Sequence, residues 1–263
     1  MTSPILVTGG TGTLGQLVVP RLRAAGHTVR VLSRRSRQSA DGVTHVVGDL
    51  HTGVGVDAAL ADVEVVVHCA GSAAGDEEKA RRITAATARA GVRHLVNISV
   101  VGADRIPVTG PLDRIFGYYA AQAAAERVVA AGPVPWTTLR ATQFHDLILT
   151  MARGLTRLPV MPALAGFRFQ PIDAAEVADR LVELALGDPS GLVPEIGGPQ
   201  VRGMDELLRA YLHAAGRRRP IVPVRLPGRA ARAFRAGANL APDRPFGRRN
   251  WEDFLAERCG VAA

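Results

Sequence analysis

Short apolar runs alternate with amphipathic segments over the first 140 residues. Runs such as Ile5-Leu6-Val7 and Val65-Val66-Val67 are too short for helices and too uniformly apolar for strands with one exposed face. They are typical of strands buried on both faces of a sheet. The pattern predicts six strands, at residues 5–7, 29–32, 43–47, 63–69, 94–98 and 136–140.

Helical segments are predicted between these strands. Leu14, Val18 and Leu22 recur on one helical face, and two further helices are predicted at residues 76–90 and 113–131. Strands that alternate with helices imply βαβ units, whose strands run parallel. We therefore predict an α/β protein with a Rossmann-type, doubly wound parallel sheet.

The alternation becomes irregular after residue 140. Nine prolines between positions 159 and 227 divide this part of the chain into short elements. We interpret residues 1–140 as a dinucleotide-binding core. Residues 141–263 are predicted to be a small C-terminal lobe that caps the substrate, interleaved with the core in a single compact unit.

The composition is typical of a globular protein with a sizeable core. Of its 263 residues, 47% are hydrophobic and 21% are charged. No apolar run approaches the ~18–20 residues that span a bilayer, and the run starting at Ile5 leaves no room for an export signal. Cys69 and Cys259 are far apart, so a disulfide framework is not expected. We expect a cytoplasmic protein without a membrane partner, as a monomer or a homodimer.

The net charge of +8 comes from arginine, since only one of the 32 basic residues is a lysine. Arg229, Arg232 and Arg235 approximate helical spacing beside Phe234. Such a face either attracts an anionic partner or is simply solvated. We favour the solvated face and expect no specific nucleic-acid partner.

A glycine-rich turn follows the first predicted strand and opens the first predicted helix. Gly9, Gly12 and Gly15 are spaced three residues apart. Glycines allow a tight turn and a close approach of the backbone to a pyrophosphate, and the helix N-terminus offers free N–H groups to the anion. The residues predicted to bind the cofactor in this turn are Gly9, Thr11, Gly12, Thr13, Leu14 and Gly15.

The residues after the second strand favour NADPH over NADH. An NAD site usually has an acidic residue here for the ribose 2′-hydroxyl, whereas this chain has Ser33, Arg34 and Arg35. A carboxylate would repel a 2′-phosphate, while a hydroxyl and a guanidinium bind one. The alternative is an exposed arginine-containing loop. The missing acid is the stronger argument, so we expect NADP(H) rather than NAD(H).

Two more strand ends are expected to line the cofactor cleft. Asp49, followed by Leu50, comes after the third strand, where its carboxylate either accepts hydrogen bonds from the adenine amino group or caps the next turn. Ala70 and Gly71 end the fourth strand, where a small backbone suits a cleft wall.

These features resemble the short-chain dehydrogenase/reductase superfamily, specifically its atypical, NmrA-like NAD(P)H-binding branch. The resemblance extends over nearly the whole chain. It is carried by the segments 8–15, 33–35, 48–50, 97–102, 118–119, 140–144 and 170–173. It implies cofactor contacts from Ser99, Thr142 and Phe144, and a catalytic pair formed by Ser99 and Tyr118.

The chain departs from the family pattern at Gln122, which stands where the superfamily has the lysine of Tyr-x-x-x-Lys. Lys79 cannot replace that lysine, since it is predicted on another helix. In the family scheme the ammonium lowers the pKa of the tyrosine and holds the nicotinamide ribose. Gln122 can still form a hydrogen bond but carries no charge. Alcohol oxidation should suffer more than carbonyl reduction, for which a neutral Tyr118 is a sufficient proton donor.

His145 is a further candidate acid or base, because it follows the segment that the resemblance places next to the substrate. Its alternative is a histidine at a helix start that packs against its neighbours. No Cys/His cluster has the spacing of a metal site, so no metal is expected.

Three functions remain open from the sequence. The first is an NADPH-dependent reductase of a small apolar carbonyl, quinone or enone. The second is a non-catalytic NADP(H)-binding redox sensor. The third is a non-redox isomerase, cyclase or lyase on the same scaffold. The substrate identity is not encoded in any of these motifs.

Overall fold

The computed structural model describes residues 3–39, 42–71, 75–109 and 111–259, without the side chains of residues 111, 112 and 114. The strands are β1 Ile5–Thr8, β2 Val29–Ser33, β3 Val43–Val47, β4 Val65–His68, β5 His94–Val100, β6 Trp136–Ala141, β7 Met161–Leu164, β8 Arg168–Phe169, β9 Gly191–Leu192, β10 Arg202–Gly203 and β11 Ile221–Val224. The helices are α1 Gly15–Ala24, α2 Val56–Ala59, α3 Asp76–Arg89, α4 Gly117–Ala130, α5 His145–Leu155, α6 Ala174–Leu186, α7 Met204–Ala214, α8 Arg229–Arg235 and α9 Trp251–Cys259.

The central sheet has seven strands in the order β3-β2-β1-β4-β5-β6-β9. β1 pairs in parallel with both of its neighbours, β2 and β4. The chain proceeds from β1 to β3 on one side of β1 and from β4 to β6 on the other, so the strand order reverses at β1. This confirms the predicted Rossmann-type α/β fold, and β1–β6 correspond to the six predicted strands. In such sheets a ligand binds at the carboxyl ends of the strands on either side of the reversal.

The chain divides into two compact units. The first comprises Met1–Ser99, Ala120–Arg140 and Ala175–Pro194, and contains nearly all of the seven-stranded sheet. The second comprises Val100–Tyr119, Ala141–Ala174 and Glu195–Ala263. The interpretation of residues 1–140 as cofactor core and of residues 141–263 as substrate-capping lobe stays a prediction.

The first unit has a core of aliphatic side chains between its sheet and helices. The valines of β4 are buried or nearly so, as expected for a strand covered on both faces. The core cluster consists of Leu6, Leu32, Leu50, Val56, Ala59, Leu60, Val63, Val66, Ala80, Ile83, Ala86, Val92, Leu95, Ala125, Val129 and Val134.

The second unit contains two small two-stranded sheets, β7 with β11 and β8 with β10. Its core includes an aromatic cluster in which the ring of Phe234 on α8 lies 4.7 Å from that of Phe167 and 5.3 Å from that of Phe169. Phe234 is thus a packed residue of α8, while Arg229 and Arg232 are exposed, as the helical spacing predicted. The third arginine of the predicted solvated face, Arg235, is instead half-buried and donates to the Leu226 carbonyl at 2.8 Å.

One predicted helix was wrong at its start. Residues 113–131 were expected to form a single helix, but Pro111–Phe116 forms a 3₁₀ helix and α4 begins only at Gly117. The carboxylate of Asp113 accepts the backbone N–H groups of Thr109, at 3.2 Å, and of Ala230, at 3.3 Å. These contacts hold the first turn separate from α4. Ala230 is 117 residues away from Asp113 along the chain, so the local sequence does not predict this contact.

Candidate dinucleotide-binding site

The glycine-rich turn between β1 and α1 leaves no room for a side chain at Gly9 or Gly15. Gly9 has a φ of +67°, and a Cβ on Gly15 would overlap the Gly9 carbonyl oxygen and lie 2.6 Å from the Gly10 Cα. A Cβ on Gly12, by contrast, would meet only the Gly9 oxygen, at 3.3 Å. Gly9 and Gly15 are therefore required by the turn itself, while Gly12 faces open space.

The turn packs directly against the end of β4. A Cβ on Gly9 would lie 2.7 Å from the Ala70 nitrogen and from the Cys69 carbonyl group. The Cys69 N–H donates to the Thr8 carbonyl at 3.1 Å, which continues the pairing of β1 and β4 beyond the strands. The predicted cofactor residues of the turn and Ala70 are thus neighbours at the strand-order reversal.

The N-terminus of α1 suits an anion. It has no side-chain cap and no acidic residue in its first turn, while Arg21 and Arg23 lie in its last turn. Thr11, Gly12 and Thr13 are exposed, and Leu14 is buried, so Leu14 can offer a ligand only its backbone. The N–H groups of Gly12, Gln16 and Leu17 already donate to backbone carbonyls. An uncapped helix start is a general phosphate-binding arrangement, and the N–H groups that it could offer here are those of residues 13–15.

The loop after β2 presents arginine and no acid. The Ser33 hydroxyl donates to the Arg35 carbonyl at 2.5 Å and is largely buried, whereas Arg34 and Arg35 are exposed. The Ser33 bond therefore fixes the bend, and the guanidinium groups remain accessible to solvent. Both the 2′-phosphate site and the exposed-loop alternative are compatible with this geometry.

Asp49 caps the turn that follows β3. Its Oδ1 accepts the His51 N–H at 2.8 Å, as the capping alternative requires. The described contacts of the Asp49 side chain involve only this oxygen, so the adenine alternative is still possible for Oδ2. The side chain of Leu50 lies in the core of the first unit, and any contact with a nucleotide would come from its backbone.

Ser99, near the end of β5, carries a hydroxyl suited to a ligand. Its residue is only 5% exposed, and its Oγ has no hydrogen-bond partner among the described residues. A buried hydroxyl without a partner costs free energy unless a bound molecule or water completes it.

Gln122 on α4 lies beside Gly71 and is bound to Asp76. The Gln122 Nε2 donates to Asp76 Oδ2 at 3.0 Å, and a Cβ on Gly71 would lie 3.5 Å from Nε2. The Lys79 ammonium binds the other carboxylate oxygen of Asp76, also at 3.0 Å. Lys79 is on α3, as predicted, but it is linked to Gln122 through Asp76.

Sequence reasoning missed Asp76 and Lys79 as part of this site. Their only sequence signal is their position, shortly after Gly71 and one helical turn apart. The partner Gln122 is 46 residues away, so the cluster emerges only from the fold.

His68, at the end of β4, is another buried polar residue of the first unit. Its Nδ1 is 2.7 Å from the Thr8 hydroxyl. Burial lowers the pKa of His68 to about 4, with a smaller lowering from Lys79 and an opposing effect of Asp76. The imidazole is therefore neutral at physiological pH.

Four predicted site residues belong to the second unit and are described there by themselves. Tyr118 is 36% exposed, and its ring meets that of Tyr119 edge-on at 6.0 Å. The Tyr119 hydroxyl is buried and accepts from Gln143 Nε2 at 3.4 Å, and burial raises the pKa of Tyr119 above its ordinary value. Of the two tyrosines, Tyr118 is the accessible one.

Thr142 and Phe144 both have local structural roles. The Thr142 hydroxyl donates to the Gln170 carbonyl at 2.5 Å and accepts the Gly198 N–H at 3.2 Å. Phe144 is half-buried and precedes the first residue of α5. Their predicted cofactor contacts stay predictions.

The geometry of His145 favours the packing alternative. It is the first residue of α5 and has no exposed surface, with ring centroids 5.8 Å from Trp251 and 4.9 Å from Phe254. Burial lowers the pKa of His145 to about 4, and Asp173 and Glu252 oppose this effect less strongly. An enclosed neutral imidazole is poorly placed to exchange protons with a substrate.

Comparisons with known proteins identify the family of the chain. A family model described as NAD(P)H-binding matches residues 9–187. A (4-alkanoyl-5-oxo-2,5-dihydrofuran-3-yl)methyl phosphate reductase from Streptomyces griseus is 34% identical over 181 residues, which are 66% of this chain and 61% of the relative. The chain therefore spans less than two thirds of that relative's length.

Solved structures share the fold. An NADPH-dependent quinone oxidoreductase from Escherichia coli, in complex with NADPH, is 18% identical with a TM-score of 0.79, covering 97% of this chain and 99% of that chain. A UDP-glucose 4-epimerase from Thermus thermophilus, in complex with NAD, is 21% identical with a TM-score of 0.72, covering 99% and 100%.

The sheet order and the glycine turn define a Rossmann-type dinucleotide-binding protein. More specifically, the chain belongs to the NAD(P)H-binding family, which confirms the predicted family resemblance. In the part of the chain that the structure describes, none of the helices has both the length and the apolar character that crossing a membrane requires.

Proposed function

We propose that this protein is an NADPH-dependent reductase of a small apolar carbonyl, quinone or enone. The observation that carries the proposal is the tight glycine turn with its exposed residues 11–13, together with the loop after β2, which has exposed arginines and no acid. The turn suits a pyrophosphate, and the loop suits a 2′-phosphate.

The residues present fit NADPH. The exposed backbone of residues 11–13 would hold the pyrophosphate, and Arg34 would hold the 2′-phosphate. The Ser33 hydroxyl already donates to the Arg35 carbonyl, so its role is to shape the loop. Gly71 and Gln122 would border the nicotinamide half, and the buried Ser99 hydroxyl offers a hydrogen bond there. When bound, the cofactor supplies a hydride to the substrate.

The chain's own residues provide the proton and orient the substrate. Tyr118 donates its phenolic proton to the substrate oxygen, while Ser99 orients that oxygen. Gln122 brings no charge to lower the pKa of Tyr118, so Tyr118 acts as a neutral acid. The direction of the reaction is therefore reductive.

The relatives support a reductase as far as their names go. The Streptomyces relative is named a reductase, and the Escherichia coli structure is an NADPH-dependent quinone oxidoreductase. The Thermus structure is an epimerase with NAD, so likeness of fold is compatible with other chemistry and another cofactor.

A second candidate, a non-catalytic NADP(H) sensor, is favoured by one observation. Position 122, one helical turn from Tyr118, carries an uncharged amide where the family has an ammonium. The NH₂ group of this amide is bound to Asp76. A non-redox isomerase, cyclase or lyase is the third function to be distinguished.

The test is NADPH consumption with a panel of small carbonyls, quinones and enones. Tyr118→Phe should lower the rate by about 10²-fold or more, since the proton donor is lost. Tyr119→Phe is the matched control, because its buried hydroxyl contacts Gln143, and it should stay within about threefold of wild type.

The other outcomes separate the candidates. NADPH that binds but is not consumed with any compound favours the sensor. Turnover of a compound without added NADPH favours the non-redox enzyme. Unchanged consumption in Tyr118→Phe would contradict the reductase mechanism proposed here.

A further inference from the structure

Asp76 joins two polar side chains in the interior of the first unit. Asp76 is 3% exposed and Gln122 is 4% exposed. The two oxygens of the Asp76 carboxylate have different partners, Lys79 Nζ on Oδ1 and Gln122 Nε2 on Oδ2, each at 3.0 Å. Lys79 is the only lysine of the chain.

This arrangement fixes which end of the Gln122 amide faces Asp76. An ionised carboxylate only accepts hydrogen bonds, so it can bind the amide NH₂ group but not the amide carbonyl. The Gln122 carbonyl oxygen therefore points away from Asp76. Among the described residues no donor is bonded to it. The side chain consequently presents an acceptor, in contrast to the donor that a lysine would present.

The position of the amide identifies the kind of ligand group that it meets. Gln122 Nε2 lies beside Gly71, beyond the end of β4, on the opposite side of the strand-order reversal from β2 and its arginine loop. In a doubly wound sheet the two nucleotide halves of a dinucleotide bind on the two sides of the reversal. The half over β4 therefore offers ribose hydroxyl groups to Gln122.

We propose that Asp76 is a positioning residue, which holds the Gln122 amide so that its carbonyl accepts a hydrogen bond from a ribose hydroxyl of the nicotinamide half. Lys79 holds the carboxylate from its other oxygen. This inference rests on the proposed NADPH cofactor.

Asparagine at position 76 should reverse the amide. The Lys79 ammonium only donates, so it would bind the asparagine carbonyl and leave the asparagine NH₂ group facing Gln122. Gln122 would then turn its own carbonyl toward Asn and its NH₂ group toward the ribose. A ribose hydroxyl oxygen can accept from that NH₂ group, so Asp76→Asn reverses the hydrogen bond but keeps it. A merely structural role of Asp76, in the first turn of α3, would not act through Gln122.

The experiment is a calorimetric double-mutant cycle on the full chain with two probes. NADPH contains both nucleotide halves, whereas 2′,5′-ADP lacks the nicotinamide ribose. The variants of the cycle are Asp76→Ser, whose side chain is too short to reach Gln122, and Gln122→Met, together with their combination. Asp76→Asn is measured beside them. Glu77→Gln is the matched control on the same helical turn, because Glu77 forms only an exposed pair with Arg81 among the described contacts.

Asp76→Asn should bind NADPH within about threefold of wild type, because the reversed hydrogen bond remains. We expect Asp76→Ser and Gln122→Met each to weaken NADPH binding by about fivefold to tenfold, the effect of one hydrogen bond. Neither should change the affinity for 2′,5′-ADP. The double variant should bind NADPH no more weakly than Gln122→Met alone, and Glu77→Gln should match wild type.

Three results would overturn the inference. Additive losses would show that Asp76 does not act through Gln122, and equal losses for both probes would indicate a structural effect. Unchanged NADPH affinity in Asp76→Ser would likewise contradict it, although NADPH binding to wild type would leave the proposed cofactor intact. If wild type binds neither probe, the proposed cofactor itself fails.

Thermal unfolding of each variant accompanies the titrations. Serine is compatible with a helix start but is too short to reach Gln122. If Asp76→Ser does not fold, the same cycle is run with Asp76→Ala, whose side chain also cannot reach Gln122. The expected result and the contradicting results are the same.

Discussion

His145 has no exposed surface, and its imidazole packs against the rings of Trp251 and Phe254. Its pKa in the folded protein, about 4, is below the ordinary value of about 6.5 for an unfolded chain. The unfolded state thus binds more protons between these two pH values, and stability falls as the pH is lowered through this window. Burial also lowers the pKa of His68, so the titration of His68 changes the stability in the same direction.

We predict that the free energy of unfolding decreases by about 1.5 kcal/mol for each of these histidines between pH 6.5 and pH 5. His145→Phe removes the titrating group and keeps an aromatic ring beside Trp251 and Phe254. Its loss of stability over this interval should be smaller than that of wild type by about the same amount. Urea unfolding at the two pH values measures this, and an equal loss in both proteins would contradict the assignment.

For individual residues, local contacts were predictable from the sequence, and contacts with distant partners were not. Ser33, Arg34 and Asp49 follow strands whose ends are visible in the sequence, and their exposure and turn contacts agree with one of the stated alternatives. The partners of Gln122 and His145 lie 46 and more than 100 residues away. Only the tertiary structure brings such groups together, so neither contact has a sequence signal.

At the scale of elements, the glycine turn between β1 and α1 makes two substitutions differ sharply. In Gly15→Ala the new methyl group would overlap the backbone of Gly9 and Gly10, whereas in Gly12→Ala it would touch only one oxygen, at 3.3 Å. We predict that Gly15→Ala destabilises the protein by about 1–3 kcal/mol through overpacking. Gly12→Ala should fold with a melting temperature close to that of wild type, yet bind NADPH more weakly because its methyl group occupies the exposed turn.

Thermal unfolding and NADPH titration of both variants test this prediction. Similar melting temperatures for the two variants would show that Gly15 is not required by the turn. Unchanged NADPH affinity in Gly12→Ala would show that the exposed face of the turn is not the phosphate site.

The strands β1–β6 were predicted better than the start of helix α4. β1 and β4 are almost entirely apolar, and apolar residues recur through β2, β3, β5 and β6, so the position of these strands was visible in the sequence. The start of α4 was misplaced because Asp113 accepts N–H groups from Thr109 and Ala230. A local pattern of helix formers continues through residues 113–116, and only the contact with Ala230 explains the separate turn.

For the whole molecule, the net charge of +8 predicts weak, non-specific attraction to polyanions. Arg229 and Arg232 are exposed on α8, while Phe234 anchors the helix. We predict that duplex DNA binds weakly, without sequence preference, and loses affinity steeply between about 50 mM and about 200 mM salt. Fluorescence anisotropy with several unrelated duplexes measures this. Tight binding to one duplex that persists at the higher salt concentration would contradict the solvated-face interpretation.

The central claim for the molecule is an NADP(H) site formed by the glycine turn and the loop after β2. The most direct test is calorimetric titration of the unmodified protein, Arg34→Ala and Arg37→Ala with NADPH and NADH. Arg37 is an exposed arginine of the same loop and serves as the matched control. We predict that the unmodified protein and Arg37→Ala bind NADPH at least about tenfold more tightly than NADH, equivalent to about 1.4 kcal/mol, and that Arg34→Ala loses most of this margin. Equal affinities of the unmodified protein for NADPH and NADH would contradict the account.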